Sequence, residues 1–428
     1  MNAITRSAWR RLGRGLALAA ASLVLVPQAG DAGGLGTGRP SSYLERVTKA
    51  ILADRAAARF TRPLGPIECE NGRAGPFPCK KVDLLSFVPL AEMGGATAND
   101  VWGWTDPVTG KDYAILGMAN GTAFVDISKP RDPIFVGQLR TPTIPSIWRD
   151  VEEYKNHAFI VSDLAFDHGL SVFDLRELRD PPVSKVFGET AFYTRFGSAH
   201  TVDINEDTGF AYVSGSDTCN EGLHMVNIRD PQNPKFAGCF GKDGYSHDTH
   251  CVIYRGPDRK HRGSEICFSS NEDTLTITDV TDKGDPVMLS RTTYRGVGYT
   301  HQGWLYKGQT LFALDDELDE QEHGHNTKTR YFNVTNLENP KLVAVYTHPT
   351  AAIDHNLFVK GGLIYEANYR AGLRIVRPFK KQVAFFDIWP PDNIPEFNGA
   401  WSAYPFFKNG VVLVSGIEEG LFILKPRL

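Results

Sequence analysis

Four histidines, His200, His247, His301 and His355, stand 47, 54 and 54 residues apart along the chain. Imidazole is the commonest side-chain ligand for transition metals, so four of them at one recurring interval suggest a shared ring of ligands. Asp150, Asp248 and Asp354 fall beside them or at matching places, where a carboxylate orients an imidazole by accepting from its other nitrogen. Neutral nitrogen ligands suit Zn, Cu or Fe, whereas Ca and Mg prefer oxygen. His250 is an alternative to His247, although two strand residues three apart face opposite ways. The same residues also have a purely structural reading. Polar side chains at the start of a recurring strand can bond the backbone of the next repeat and line a wet channel, and spacing alone leaves both readings open.

A second cluster is the acidic run from Asp315 to His325, which contains Asp316 and ends in His323-Gly324-His325. It is an exposed acidic loop by default. Its length also lets it carry Asp315 or Asp316 toward the histidines, as further ligands, or hold Ca through carboxylate oxygens, although it lacks the pattern of an EF-hand. No nucleophile elbow, zinc-protease helix or phosphate-cradling loop occurs.

The histidine interval belongs to a larger repeat. A short apolar stretch followed by a Pro-bearing turn recurs at residues 123–128, 171–176, 224–229, 275–280, 330–335, 373–378 and 421–426, with starts 43 to 55 residues apart. Within each copy the apolar residues alternate or run short, and many are β-branched or aromatic, as in Phe124-Val125-Asp126-Ile127, which is strand periodicity. A second strand precedes each copy, a third precedes that one, and another follows the Pro turn. Four short strands in about 50 residues make the blade of a β-propeller, so the chain is all-β with seven blades. The last copy ends at Leu428 without a fourth strand, and the stretch 82–90 has the character of the missing one. Pairing the two closes the ring and covers its edges. In such a ring the entries to the innermost strands converge on one channel mouth. The histidines occupy those entries in four blades, and Trp102, Arg149-Asp150 and Trp401-Ser402 occupy them in the other three.

The flanks define a compartment. Arg6, Arg10, Arg11 and Arg14 precede an apolar run over 16–26 and small residues to Ala32, which reads as a secretory signal peptide over 1–32. Its apolar run is too short for a permanent span, and no C-terminal anchor is visible. Residues 33–81 read as a Gly-rich stretch, a short amphipathic helix and a loop containing Cys69 and Cys79. In the helix Leu44, Val47, Ile51 and Leu52 share a face, Ser41 or Ser42 can cap it, and it packs outside the ring or over one mouth. The propeller then occupies 82–428. Six cysteines in an exported chain imply disulfides, and sequence neighbours pair most simply: Cys69 with Cys79, Cys219 with Cys239, Cys251 with Cys267. A net charge of −4 gives no basic surface for nucleic acid or anionic lipid. A small molecule, a glycan facing aromatic stretches such as Trp389-Pro390-Pro391, or an envelope protein are the partners that remain.

The strings Trp148-Arg149-Asp150, Gly244-Tyr245-Ser246-His247-Asp248, Tyr299-Thr300-His301-Gln302-Gly303-Trp304 and Ile353-Asp354-His355-Asn356 resemble the LVIVD-repeat proteins of the choice-of-anchor B family. So do segments 205–210, 222–226, 271–277, 316–320 and 368–373, and the likeness runs through 82–428. It implies an exported or surface β-propeller whose relatives reach the envelope by differing anchors. With a signal peptide and no visible anchor, a free periplasmic or secreted state follows. The resemblance brings no defined reaction. An exported metal-binding propeller with oxidoreductase or hydrolase activity and a non-catalytic binding or scaffold propeller both stay open.

Overall fold

The computed structural model describes residues 40–53, 59–180 and 184–428. The segment expected to be a signal peptide and the Gly-rich stretch after it lie outside these residues. Seven sheets, antiparallel except for one added strand in the first, follow one another along the chain as seven blades. Their innermost strands are, in order, Ala98–Thr105, Arg149–Tyr154, Thr201–Asn205, Asp248–Ile253, Thr300–Tyr306, Leu357–Lys360 and Ala400–Tyr404. The repeated stretches of the sequence are the third strands, for example Gly121–Asp126 in blade 1 and Leu373–Arg377 in blade 6. Second strands such as His157–Ser162 and Leu311–Asp316 are buried throughout, because each is covered on both faces by neighbouring blades. That explains their continuous apolar runs, where a half-exposed strand would alternate. Apolar side chains of adjacent blades then interlock, as Phe77, Phe386 and Phe422 do where blades 6 and 7 meet.

Val82–Pro89 pairs antiparallel with Gly420–Pro426, from Val82 opposite Pro426 to Pro89 opposite Gly420, and completes blade 7. Three sheets depart from the expected plan of four strands drawn in turn from each repeat. In blade 1, Lys185–Phe187 adds a fifth, parallel strand beside Ile134–Arg140. A Cβ at Gly137 would collide with the Lys185 carbonyl, so glycine there permits the approach. Blade 2 accordingly takes its outermost strand from later in the chain, at Ala191–Tyr193. In blade 6, Phe77–Lys80 and Arg73–Ala74 extend the sheet outward.

All three disulfides form between sequence neighbours, Cys69–Cys79, Cys219–Cys239 and Cys251–Cys267. Cys251 and Cys267 are directly opposite on paired strands of blade 4. The N-terminal helix spans Pro40–Ala53. Leu44, Val47 and Ile51 are buried against Trp148, Ile353, Tyr369 and Trp401, whereas Leu52 is 40% exposed. These partners come from loops of several blades, so the helix lies across the channel mouth. Ser41 and Ser42 fall inside the helix and so do not hold the cap position. Among the described residues no helix is long and apolar enough to cross a membrane.

Candidate metal centre at the channel mouth

Each of the four histidines sits at the entry to an innermost strand: His200 just before Thr201, His247 just before Asp248, His301 second in Thr300–Tyr306, and His355 two residues before Leu357. The propeller axis therefore gathers them, and all four are buried. Ring centroids lie 4.4 Å apart for His200 and His247, 4.2 Å for His247 and His301, and 4.4 Å for His301 and His355. Two indoles close the circle. Trp148 lies 5.4 Å from His200, Trp401 lies 5.1 Å from His355, and the two are 5.4 Å from each other. Trp102 is not part of the circle. It lies farther along its strand, among Phe358, Tyr404 and Phe406 near the other end of the channel.

Every Nδ1 in the circle has an acceptor. His200 uses the Asp163 carboxylate at 3.1 Å, His247 the His301 carbonyl at 2.9 Å, His301 the Asp315 carboxylate at 3.0 Å, and His355 the Trp401 carbonyl. These acceptors favour the Nδ1–H tautomer and place the lone pair on Nε2. Burial, reinforced by the neighbouring imidazoles, holds the pKa of His247 and His301 well below the usual value, and burial brings His355 down to about 3. Those three rings are neutral at physiological pH, the form that ligates metals.

The Nε2 atoms of His301 and His355 turn to one carboxylate. Glu317 Oε2 is 3.7 Å from His301 Nε2, and its Oε1 is 3.8 Å from His355 Nε2. The Tyr369 hydroxyl donates to the same Oε1 at 2.6 Å. Ligand atoms of His301, Glu317 and His355 all lie within 4.8 Å of one another. Two imidazoles and a carboxylate form a mixed nitrogen and oxygen donor set suited to Zn or Fe. A cavity of about 30 Å³ borders the four histidines on the side of Trp148, Arg149, Asp248 and Trp401, and Glu317 is not on its wall. That is room for an ion or one or two waters.

Glu317 lies outside the repeat of strand entries, and within the acidic run 315–325 the sequence points to Asp315 and Asp316 instead. A signal was present. Antiparallel pairing sets the end of a second strand opposite the start of the first, as Thr300 opposite Asp316 and Arg149 opposite Ser162. Acids at that place, Asp163 in blade 2 and Asp315 and Glu317 in blade 5, therefore reach the circle.

The other expected carboxylates serve the backbone. Asp150 accepts from the Val202 amide at 2.7 Å, in the next blade, and so does not orient an imidazole. Asp100 accepts from Val151, Glu152 from Ile204 and Asp203 from Cys251 in the same manner, so successive innermost strands are stitched by channel side chains. Burial and the neighbouring Asp100 push Asp150 well above the usual carboxylate range. Asp248 lines the channel beside Thr201. Asp354 accepts from the Asp316 amide, and Asp316 binds the Tyr294 hydroxyl and the amides of Gly298 and Tyr299, turning away from the channel. His250 stacks on Trp304 at 3.9 Å and lies 3.5 Å from Asp203. It borders a separate cavity of about 480 Å³ with Tyr306, Lys307 and Gln309. Trp389 is buried under the guanidinium of Arg59, 3.5 Å from its ring, which removes it as a glycan platform.

The fold has counterparts among solved structures. The β-propeller domain of Cps50 (Swd1) from Myceliophteria thermophila superimposes with a TM-score of 0.51 at 12% identity, over 78% of this chain and 97% of that one. A functionally unknown protein from Desulfotomaculum acetoxidans gives 0.52 at 9% identity, over 73% and 90%. Identities this low establish the propeller and nothing of its chemistry. No family model and no curated protein matches the chain.

Proposed function

We propose that this chain is an exported LVIVD-repeat propeller of the choice-of-anchor B kind that holds a transition metal, Zn, Cu or Fe, at its channel mouth. His301, His355 and Glu317 are the ligands, and His247 and His200 continue the imidazole circle beside them. The observation that carries this reading is the convergence of two Nε2 atoms on one buried carboxylate, with both Nδ1 atoms already engaged. Export is supported by the basic and apolar N-terminal sequence and by three disulfides. Elemental analysis of protein recovered from its export compartment tests the reading. About one metal per chain is expected, lost in a His301→Ala, His355→Ala double variant, and unchanged metal content in that variant would sink it.

A non-catalytic scaffold is the second reading, and the outer strands favour it. Val287 and Met288 of blade 4 and Leu342, Val343 and Val345 of blade 5 are exposed, on edges that lack the extra strand found in blades 1 and 6. An unpaired apolar edge can accept a strand from an envelope protein. Retention of envelope proteins by the wild type and equally by a Val343→Lys, Val345→Lys variant would remove this reading.

A further inference from the structure

The acidic run of blade 5 turns inward. Beyond the strand Leu311–Asp316 the chain makes a short helix, Asp319–His323, in which Asp319 and Glu320 are 0% and 1% exposed. Asp354, buried in the loop entering blade 6, stands within electrostatic reach of both. Arg330 donates to Asp319 Oδ2. Asp354 Oδ1 takes the Asp316 amide at 3.2 Å. The remaining oxygens, Asp319 Oδ1, Asp354 Oδ2 and both oxygens of Glu320, receive no hydrogen bond. What Glu320 faces is another carboxyl, that of Asp319. His325 closes the exposed side, with Nε2 3.6 Å from Asp319 Oδ2, and the ligand atoms of Asp319, Glu320 and His325 lie within 4.8 Å of one another.

Buried carboxylate oxygens without donors are costly, and one guanidinium does not balance the carboxyls around it. A cation at the point where the oxygens of Asp319 and Glu320 meet satisfies them together. Several carboxylate oxygens on a loop describe the preference of Ca²⁺, with solvent on the His325 side completing its shell.

We propose that Asp319 and Glu320, with His325 on the exposed side, form a Ca²⁺ site that fixes the acidic loop of blade 5. It is independent of the channel-mouth reading, because Glu317 of the same loop is turned to His301 and His355.

The test is calorimetric titration of Ca²⁺ into the full exported chain after dialysis against EDTA, with thermal unfolding alongside, for the wild type, Glu320→Gln and Glu317→Gln. One Ca²⁺ per chain is expected in the wild type, with a Tm rise on the order of 5 °C at saturation. Glu320→Gln should lose the binding by at least tenfold and, in EDTA, be at least as stable as the wild type, since it removes a carboxyl whose ionisation is opposed by burial and by Asp319. Glu317→Gln should bind Ca²⁺ as the wild type does. A wild type that binds no Ca²⁺ at millimolar concentration overturns the proposal without recourse to any variant. Binding that survives in Glu320→Gln and disappears in Glu317→Gln moves the ion to the channel mouth and overturns it equally.

Discussion

His301 and Glu317 meet with Nε2 3.7 Å from Oε2, while the far side of the same imidazole is held by Asp315 at 3.0 Å. The ring is fixed from behind by one acid and presented to another. Glu317→Gln keeps an oxygen for the Tyr369 hydroxyl and removes the charge. Metal affinity, measured by competition with a chromophoric chelator, should fall by at least ten- to a hundredfold, the effect typical of losing even an outer partner of a metal site. Affinity within twofold of the wild type would falsify the assignment of Glu317 as a ligand.

The helix over the mouth gives a second prediction. Val47 is fully buried between the helix and the mouth loops, and burying a valine contributes about 1.5–3 kcal/mol. Val47→Asp should undock the helix and leave the ring folded. Trypsin should then cut after Arg46 and Lys49 faster than in the wild type, and chelators should strip the metal faster. Equal cleavage and stripping rates would show that the helix does not control access.

Cys69–Cys79 fastens the segment that extends blade 6, and Val82–Pro89 still closes the ring without it. Replacing both cysteines by alanine should cost about 2–3 kcal/mol, as for a short disulfide loop, read as a lower denaturation midpoint with unchanged β-sheet circular dichroism. Loss of the β-sheet signal would mean that ring closure depends on this bond.

Glu418 gives a pH signature. Burial pushes its pKa up to about 7 from an ordinary 4.5, against the lowering effect of bonds from Asn398 and the Gly399 amide. An acid whose folded pKa is raised contributes its stability fully below about pH 4.5 and loses it as pH rises to about 7. Relative to Glu418→Gln, the wild type should therefore lose on the order of 3 kcal/mol between pH 4.5 and 7 and nothing more above it. A stability difference that stays constant over that window would contradict the burial of a titrating carboxyl.

The blade repeat was legible because the third strands, as in Phe124-Val125 or Ile375-Val376, are apolar on both faces and end at turns rich in Pro. The histidine circle was legible for the same reason, since one residue per repeat at one place must converge on the axis. Glu317 was not, because it comes from a hairpin whose length and direction are set by packing, and its run of acids reads as solvated surface. The exchange of strands between blades 1 and 2 was equally hidden. It depends on the space at Gly137 for Lys185, a contact across distant sequence that leaves no periodic trace.

The pairing of Val82–Pro89 with Gly420–Pro426 joins segments from opposite ends of the ring. Contacts within blades 1 to 5 are local and inexpensive in chain entropy, whereas this one, like that of Phe77–Lys80 with Lys381–Phe386 in blade 6, waits for a loop of nearly the entire propeller to close. Blades can assemble in order of synthesis, but the contact between Trp148 and Trp401 forms only with that last step. The circle of four imidazoles and two indoles is therefore completed last, whereas His301, Glu317 and His355 come from adjacent blades and can meet before it closes.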